Sequence, residues 1–85
     1  MDDLYPSQQQ TRDVFKDVLN ERVAQEAKWG QQDHVPPWYY LILAEEVGEV
    51  AKTILEGKSV YTIRTELIQV AAVAVAMVES MDRKR

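Results

Sequence analysis

Three observations predict that this chain is an all-α single domain spanning residues 1–85. Apolar residues recur every three or four positions along most of its length, which is the helical period. Its few glycines and prolines divide it into three long segments. A chain this short also buries only a thin core, and small scaffolds commonly need a staple or a partner. We therefore expect three main helices, the last two an antiparallel hairpin, that complete a helical bundle by oligomerisation.

The first helix is predicted over residues 8–28, after a loose arm at residues 1–6. Ser7 and Gln10 have the spacing of a capping box, and Gly30 suits a helix C-terminus. The apolar stripe that we expect to be buried consists of Val14, Phe15, Val18, Leu19, Val23 and Ala27. The polar residues that we expect mostly to face water are Arg12, Asp13, Lys16, Asp17, Glu21 and Gln25.

A polar segment at residues 29–36 separates the first helix from the second. Trp29 begins this segment and Trp38 follows it. The two side chains either fill the end of a small helical bundle or stack on a nucleobase. His34 is the only histidine, and it either forms a hydrogen bond within the loop or contacts a ligand. Pro37 suits the first turn of a following helix.

The second helix is predicted over residues 37–56, with Gly57 at its end and Ser59 as the cap of the third. A connection this short predicts an antiparallel helical hairpin. The apolar face that we expect to be buried consists of Leu43, Ala44, Val47, Val50, Ala51 and Ile54.

The third helix is predicted over residues 60–82. Residues 70–78 carry no polar side chain, and a helix that is apolar on every side is expected to be buried on every side. Two short helices cannot surround it, so we expect it at an oligomer interface; the alternative is an exposed apolar helix in a monomer. The run is shorter than the roughly 20 residues that span a bilayer. The basic residues 83–85 either fray or reach a ligand phosphate.

Composition narrows the classes of function. The formal net charge is −4 and most of the basic residues are scattered, which argues against a protein that coats a nucleic-acid polymer. The chain has no cysteine, so disulfides and thiolate metal sites are excluded. Residues 1–10 lack the basic and apolar parts of a signal peptide. We expect a cytoplasmic protein without a membrane partner.

Several carboxylates are expected to converge between the second and third helices. Glu49 and Glu66 lie at nearly equal distances from Gly57, so an antiparallel hairpin would place them face to face. Glu46 would likewise face Gln69. Oxygen ligands of this kind favour Mg²⁺, with Mn²⁺ as the other candidate. The alternative is a structural network of acids on the bundle surface.

The acidic motifs resemble those of a known family. The sequence EEVGE at residues 45–49, followed by ELIQ at residues 66–69, resembles the EExxE…ExxD motif of the MazG-like, all-α nucleoside triphosphate pyrophosphohydrolases. The sequence KWG at residues 28–30 is similar to the small, single-domain branch of that family. The resemblance covers residues 28–81. It implies a homodimer or homotetramer that hydrolyses a ribo- or deoxyribonucleoside triphosphate to the monophosphate and pyrophosphate with Mg²⁺.

The resemblance also implies roles for individual residues. Glu45 or Glu46 would orient or deprotonate the attacking water. The candidate metal ligands are Glu46, Glu49, Glu66 and Gln69. The candidate substrate-binding residues are Trp29, His34 and Trp38 for the base pocket and, as weaker candidates for phosphate contacts, Lys28, Lys52 and Arg83. Gln69 stands where the motif has aspartate, and a neutral amide holds Mg²⁺ less well. That departure favours an alternative function, a non-catalytic helical module that binds nucleotide or metal. A purely structural assembly protein, which would not respond to Mg²⁺, is the third class of function.

Overall fold

The computed structural model describes residues 6–83, and the side chains of residues 8–83. It contains three helices, α1 (Pro6–Trp29), α2 (Pro36–Leu55) and α3 (Val60–Arg83), and no strand in the described part of the chain. Both α1 and α2 pack against α3. The predicted all-α class and the three helices are therefore confirmed. Of the predicted arm at residues 1–6, residues 1–5 lie outside the described residues and Pro6 is the first residue of α1.

The first helix begins earlier than predicted and ends as predicted. Because α1 begins at Pro6, Pro6 is helical and Ser7 lies inside the helix instead of capping it. At the other end, Gly30 has a φ of 74°, and its N–H donates to the carbonyl of Glu26 at 2.8 Å. This is the left-handed residue that commonly terminates a helix.

The connection between α2 and α3 forms as the sequence predicts. Gly57 has a φ of 69°, and its N–H donates to the carbonyl of Ile54 at 3.0 Å. The N–H of Lys58 donates to the carbonyl of Thr53 at 3.2 Å, which completes a Schellman motif. The Ser59 hydroxyl accepts a hydrogen bond from the N–H of Thr62 at 3.3 Å and so caps α3.

The predicted buried stripe of α1 is wrong for most of its members. Val18 is buried, but Phe15, Leu19 and Val23 are each more than 60% exposed. The reason is that α1 packs against α3 alone, so one side of the helix is covered. The apolar side beyond Val18 is not covered by α2 or α3.

The predicted apolar face of α2 is only partly the observed one, since of its members only Leu43 and Val50 are half-buried and the others are exposed. Tyr39 and Thr53 are the buried residues of α2, and Glu46, midway between them, is half-buried. Val47 and Ile54 are more than half exposed. The side of α2 that packs on α3 therefore passes through Glu46, with the consequence that an acidic residue lies inside the contact between the two helices.

Within one chain, α3 is covered on one side only. Ala72 and Ala76 are buried, whereas Val75 and Val78 are exposed. By length and composition alone, this helix could also cross a membrane, since one 18-residue window has a mean hydropathy of 1.4. The core helix of a soluble protein satisfies the same criterion. The small buried alanines allow α1 and α2 to approach α3 closely.

Candidate functional site: three carboxylates beside a cleft

Three carboxylates meet where α2 packs on α3. Glu46 and Glu49 lie one turn apart on α2, and Glu66 lies on α3. Each offers an oxygen, and these oxygens all lie within 4.8 Å of one another. The arrangement arises because the packing side of α2 includes Glu46, which turns it and the next acid of that side towards Glu66. This spacing allows a single cation to be reached by all three groups.

The electrostatics of the cluster are unfavourable without a counter-charge. Glu66 and Glu46 are half-buried, whereas Glu49 is exposed. Burial raises the pKa of Glu46 above its ordinary value, and the charges of Glu49 and Glu66 raise it further. The Oε2 atom of Glu66 is buried and accepts no hydrogen bond. A buried carboxylate oxygen without a partner is costly, so the donor set fits a hard cation such as Mg²⁺.

No basic side chain in the described part of the chain forms an ion pair with the cluster. Arg64, near the start of α3, forms an ion pair with Asp17 of α1 instead, with its Nη2 atom 2.6 Å from Oδ2 of Asp17. Lys52 is exposed on the last turn of α2. The negative charge of the cluster is therefore not neutralised by an ion pair with any described side chain.

A cleft of about 320 Å³ adjoins the carboxylate cluster. Glu46 lines both features and so connects them. The other residues that line the cleft are Glu21, Arg22, Gln25, Trp29, Gly30, Gln32, His34, Tyr39, Ile42, Gln69, Val73 and Ala76. Along α2, Glu46 lies seven residues after Tyr39, or about 10 Å by the helical rise. The cleft thus has an acidic end at Glu46 and Gln69 and an aromatic end near the 30–35 loop.

One face of α1 forms a wall of the cleft. Glu21, Gln25 and Trp29 follow one another at four-residue intervals and all line the cavity. The prediction that Glu21 and Gln25 face water is wrong, since both are half-buried. The side of α1 with the large apolar residues points elsewhere, so its polar side is the one that reaches the cleft. Glu21 also contributes to raising the pKa of Glu46.

Arg22 joins α1 to α3 at this wall, and the sequence analysis did not identify it. Its side chain is only 12% exposed. Its Nε and Nη2 atoms donate to Oε1 of Glu79 at 3.0 and 2.8 Å, and Nη2 also donates to Glu26 at 2.7 Å. Its Nη1 donates to Oε1 of Gln25 at 3.2 Å. The i,i+4 spacing of Arg22 and Glu26 was visible in the sequence, but the contact with Glu79 of α3 requires the tertiary fold.

Tyr39 closes the aromatic end of the cleft and was also not identified. It is 4% exposed, and its hydroxyl donates to the carbonyl of Gln32 at 2.7 Å. The His34 ring contacts it edge-on, with ring centroids 5.1 Å apart. Tyr39 therefore supports the loop and sets the position of His34 at the cleft.

An ion pair attaches the same loop to the end of α3. The Nη2 atom of Arg83 lies 2.6 Å from Oδ1 of Asp33. Hydrogen bonds from Gln31 and Arg83 lower the pKa of Asp33. Arg83 is helical and engaged with the loop, which contradicts the expectation that it frays. Residues 84–85 of that expectation lie outside the described chain.

The remaining candidate residues are divided between the cleft and its surroundings. Trp29 and His34 line the cleft, and the Lys28 ammonium lies 4.7 Å from the centre of the Trp29 ring. Trp38 and Lys52 do not line it. Both tryptophans are more than half exposed, so neither is a buried plug in the single chain. The other predicted catalytic candidate, Glu45, is exposed and outside the three-carboxylate cluster.

A comparison with protein-family models, with curated proteins and with solved structures finds no match.

Proposed function

We propose that this protein is a Mg²⁺-dependent pyrophosphohydrolase that converts a ribo- or deoxyribonucleoside triphosphate to the monophosphate and pyrophosphate. The observation that carries the proposal is the three-carboxylate cluster that adjoins the cleft through Glu46, in which the Oε2 atom of Glu66 is buried without a hydrogen-bond partner. The resemblance of residues 45–49 and 66–69 to the MazG-like motif supports the same assignment.

Glu46, Glu49 and Glu66 are the residues that would hold Mg²⁺, or Mn²⁺ in its place. Gln69 lines the cleft beside Glu46, and its amide oxygen is a neutral fourth candidate. When bound, the cation would offset the negative charge that develops on phosphate oxygens. The protein's part is to gather oxygen ligands that would otherwise repel one another.

The cleft supplies a path for a nucleotide from the acidic end to the aromatic end. The triphosphate belongs near Glu46, and the base belongs near Trp29 and His34. The separation of about 10 Å along α2 leaves room for the sugar between them. Lys28, packed on Trp29, adds a positive charge at the aromatic end. Lys52 and Trp38 lie outside this path, so we assign them no direct contact within one chain.

Of the two candidates for activating water, Glu46 is better placed than Glu45. It lines the cleft where the triphosphate would lie, whereas Glu45 does not line the cleft. In the proposed step, the water oxygen bonds to the α-phosphorus and Glu46 takes a proton from the water. The bond between the α-phosphorus and the oxygen that bridges to the β-phosphorus breaks, which releases pyrophosphate. Glu45 is exposed and acts only through its charge.

The proposal includes a homodimer or homotetramer in which α2 and α3 form the antiparallel hairpin of a larger bundle. The chain exposes 6550 Å². A folded monomer of 9.8 kDa is expected to expose about 5,200 Å², so the excess is about 1,400 Å². This exceeds the roughly 800 Å² that each partner buries in a standard interface. A second copy that covers the exposed sides of α1 and α3 would also bury the apolar surface of α3, so that no membrane is needed to cover it. The proposed location is the cytoplasm.

The proposed activity is tested by measuring pyrophosphate release from ribo- and deoxyribonucleoside triphosphates, with Mg²⁺ and with a chelator. We expect metal-dependent release that Glu49→Gln or Glu66→Gln reduces roughly 100-fold, since each replaces a charged carboxylate ligand with a neutral amide that holds Mg²⁺ less well. The matched control is Glu56→Gln, which changes an exposed carboxylate at the end of α2. Equal activity of the cluster variants and the control would refute the assignment.

Gln69 specifically favours a second candidate, a non-catalytic module that binds nucleotide or metal. A neutral amide at the acidic end weakens Mg²⁺ binding relative to a carboxylate. This candidate predicts nucleotide binding without pyrophosphate release, and release that appears in Gln69→Asp. Release by the unmodified protein would exclude it.

A further inference from the structure

The polar wall of the cleft carries an amide whose orientation is fixed by its neighbour. Gln25 is half-buried, lines the cleft, and accepts a hydrogen bond on Oε1 from Nη1 of Arg22 at 3.2 Å. An arginine has donors only, so the amide atom that faces it must be the oxygen. What remains of the Gln25 amide for a ligand is therefore its NH₂ group, a donor.

Arg22 is itself held firmly enough to maintain this orientation. Its guanidinium is engaged by Glu79 of α3 and by Glu26 of α1, and its side chain is 12% exposed. A planar guanidinium bound on several edges has little freedom to release one acceptor. The orientation of the Gln25 amide is thus set by the packing of α1 on α3.

Gln25 also lies at the level of the cleft where a base would sit. It precedes Trp29 by one helical turn on the same face of α1, and both line the cavity. Residues four apart on a helix are neighbours on its surface. A base that stacks on the Trp29 ring therefore has its polar edge within reach of the Gln25 amide.

We infer that Gln25 is a specificity-determining residue that selects a nucleobase bearing an oxo group over one bearing an amino group at the same ring position, and that Arg22 is the residue that positions it. The inference rests on the proposed function for the class of ligand. An oxo group accepts the hydrogen bonds that the Gln25 NH₂ offers. An amino group would place donor against donor in a half-buried site and leave both unpaired.

The test compares two pairs of nucleotides, ITP with ATP and UTP with CTP, in the ribo and deoxyribo series. The members of each pair differ in this substituent and in whether the adjacent ring nitrogen carries a hydrogen. For the preferred ring size, we expect kcat/KM to be roughly 10- to 100-fold higher for the oxo member, the discrimination that a well-placed hydrogen-bonding contact gives. Equal rates for both members, or preference for the amino member, would overturn the inference and leave the proposed activity intact.

Two variants separate specificity from folding. Gln25→Glu keeps an oxygen for Arg22 but replaces the donor with an acceptor, so the oxo preference should fall at least tenfold or reverse. Gln10→Glu makes the same chemical change at an exposed position of α1 and should leave the preference unchanged. Arg22→Lys cannot hold all of these acceptors at once. It should raise KM for the oxo nucleotide and reduce the preference while kcat is largely retained. Retention of the preference in Gln25→Glu would overturn the inference.

If no nucleotide is hydrolysed, the proposed activity fails and binding decides the inference separately. Calorimetry with IMP, AMP, UMP and CMP, without metal, then measures the base preference directly. Tighter binding of the oxo member, lost in Gln25→Glu, would support the role of Gln25. Equal binding of oxo and amino members, or no binding of any of the four, would overturn it.

Discussion

Glu46 on α2 and Glu66 on α3 present carboxylate oxygens within 4.8 Å of each other. Two negative charges at this distance repel, and the repulsion is stronger where burial excludes water. Glu66 has a buried oxygen without a hydrogen bond, and burial and its acidic neighbours raise the pKa of Glu46. The described side chains therefore leave the negative charge of this site uncompensated. A bound cation or a proton would reduce the repulsion.

The first prediction is that Mg²⁺ stabilises the folded protein. A ligand that binds only the folded state adds about 1.4 kcal/mol to the free energy of unfolding at ten times its Kd. Thermal unfolding with increasing Mg²⁺ or Mn²⁺ should therefore give a rising Tm. The same titration of Glu66→Gln should give a flat or much weaker response, while Glu56→Gln should behave as the unmodified protein does. Identical shifts in all three proteins would show that the ion acts elsewhere.

The second prediction concerns the pH dependence of stability without divalent cations. The pKa of Glu46 is raised in the folded state, so between its ordinary value of about 4.5 and the raised value the folded protein binds more protons than the unfolded chain. The free energy of unfolding should consequently fall as the pH rises through that interval. The contribution of Glu46 to the free energy of unfolding is therefore most favourable below its ordinary pKa, where Glu46 is protonated in both the folded and the unfolded state.

Glu46→Gln isolates this contribution because it removes the charge and keeps the shape. We expect the variant to be more stable than the unmodified protein at neutral pH by roughly 0.5–1 kcal/mol, a small value because solvent screens a partly exposed group. The two proteins should converge near pH 4. Urea unfolding between pH 4 and pH 8 with a chelator measures both trends. Parallel pH profiles for the two proteins would contradict the assigned shift.

A third prediction uses two glycines of α2 and its connection to α3. Gly57 has a φ of 69°, so Gly57→Ala should lower the free energy of unfolding by about 1–2 kcal/mol. Gly48 is helical, and a Cβ added there meets nothing within 4 Å. In an isolated chain, Gly48→Ala should therefore raise stability by about 1 kcal/mol. Chemical unfolding measures both values, with each variant serving as the control for the other.

The outcome for Gly48→Ala also bears on the oligomer. A loss of stability at Gly48, accompanied by a change of mass in solution, would mean that a second copy lies against this side of α2. A gain of stability with unchanged mass would place the contact between copies on another side.

The fourth prediction is that Arg22 stabilises the packing of α1 on α3. Arg22→Met removes its hydrogen bonds to Glu79 and Gln25, and we expect a loss of about 1–2 kcal/mol because Glu79 remains partly exposed to water. A double-mutant cycle with Glu79→Gln should show coupling between the two residues. Arg12→Met, at an exposed position of α1, is the control and should change stability by less than about 0.5 kcal/mol. Additive effects of Arg22→Met and Glu79→Gln would contradict a direct interaction.

The local structure follows from short-range patterns in the sequence. Gly30 and Gly57 end helices and Ser59 caps one, because these effects act within a single turn of backbone. The helical period and the positions of glycine and proline predicted three helices, and each predicted bound lies within two residues of the observed one. The equal spacing of Glu49 and Glu66 from the connection also predicted that these acids approach each other, since the rise per residue is constant.

The side of each helix that is buried against another helix depends on the tertiary packing. The apolar residues of α1 and α2 are spread over more of the helix circumference than one neighbouring helix can cover. The hydrophobic pattern therefore does not indicate whether α2 packs on α3 through the side that contains Val47 or the side that contains Glu46. The packing of both helices on the small alanines of α3 made that choice, turning Glu46 and Gln25 inwards. It also brought Arg22 to Glu79, a contact between residues far apart in the chain that no local spacing encodes.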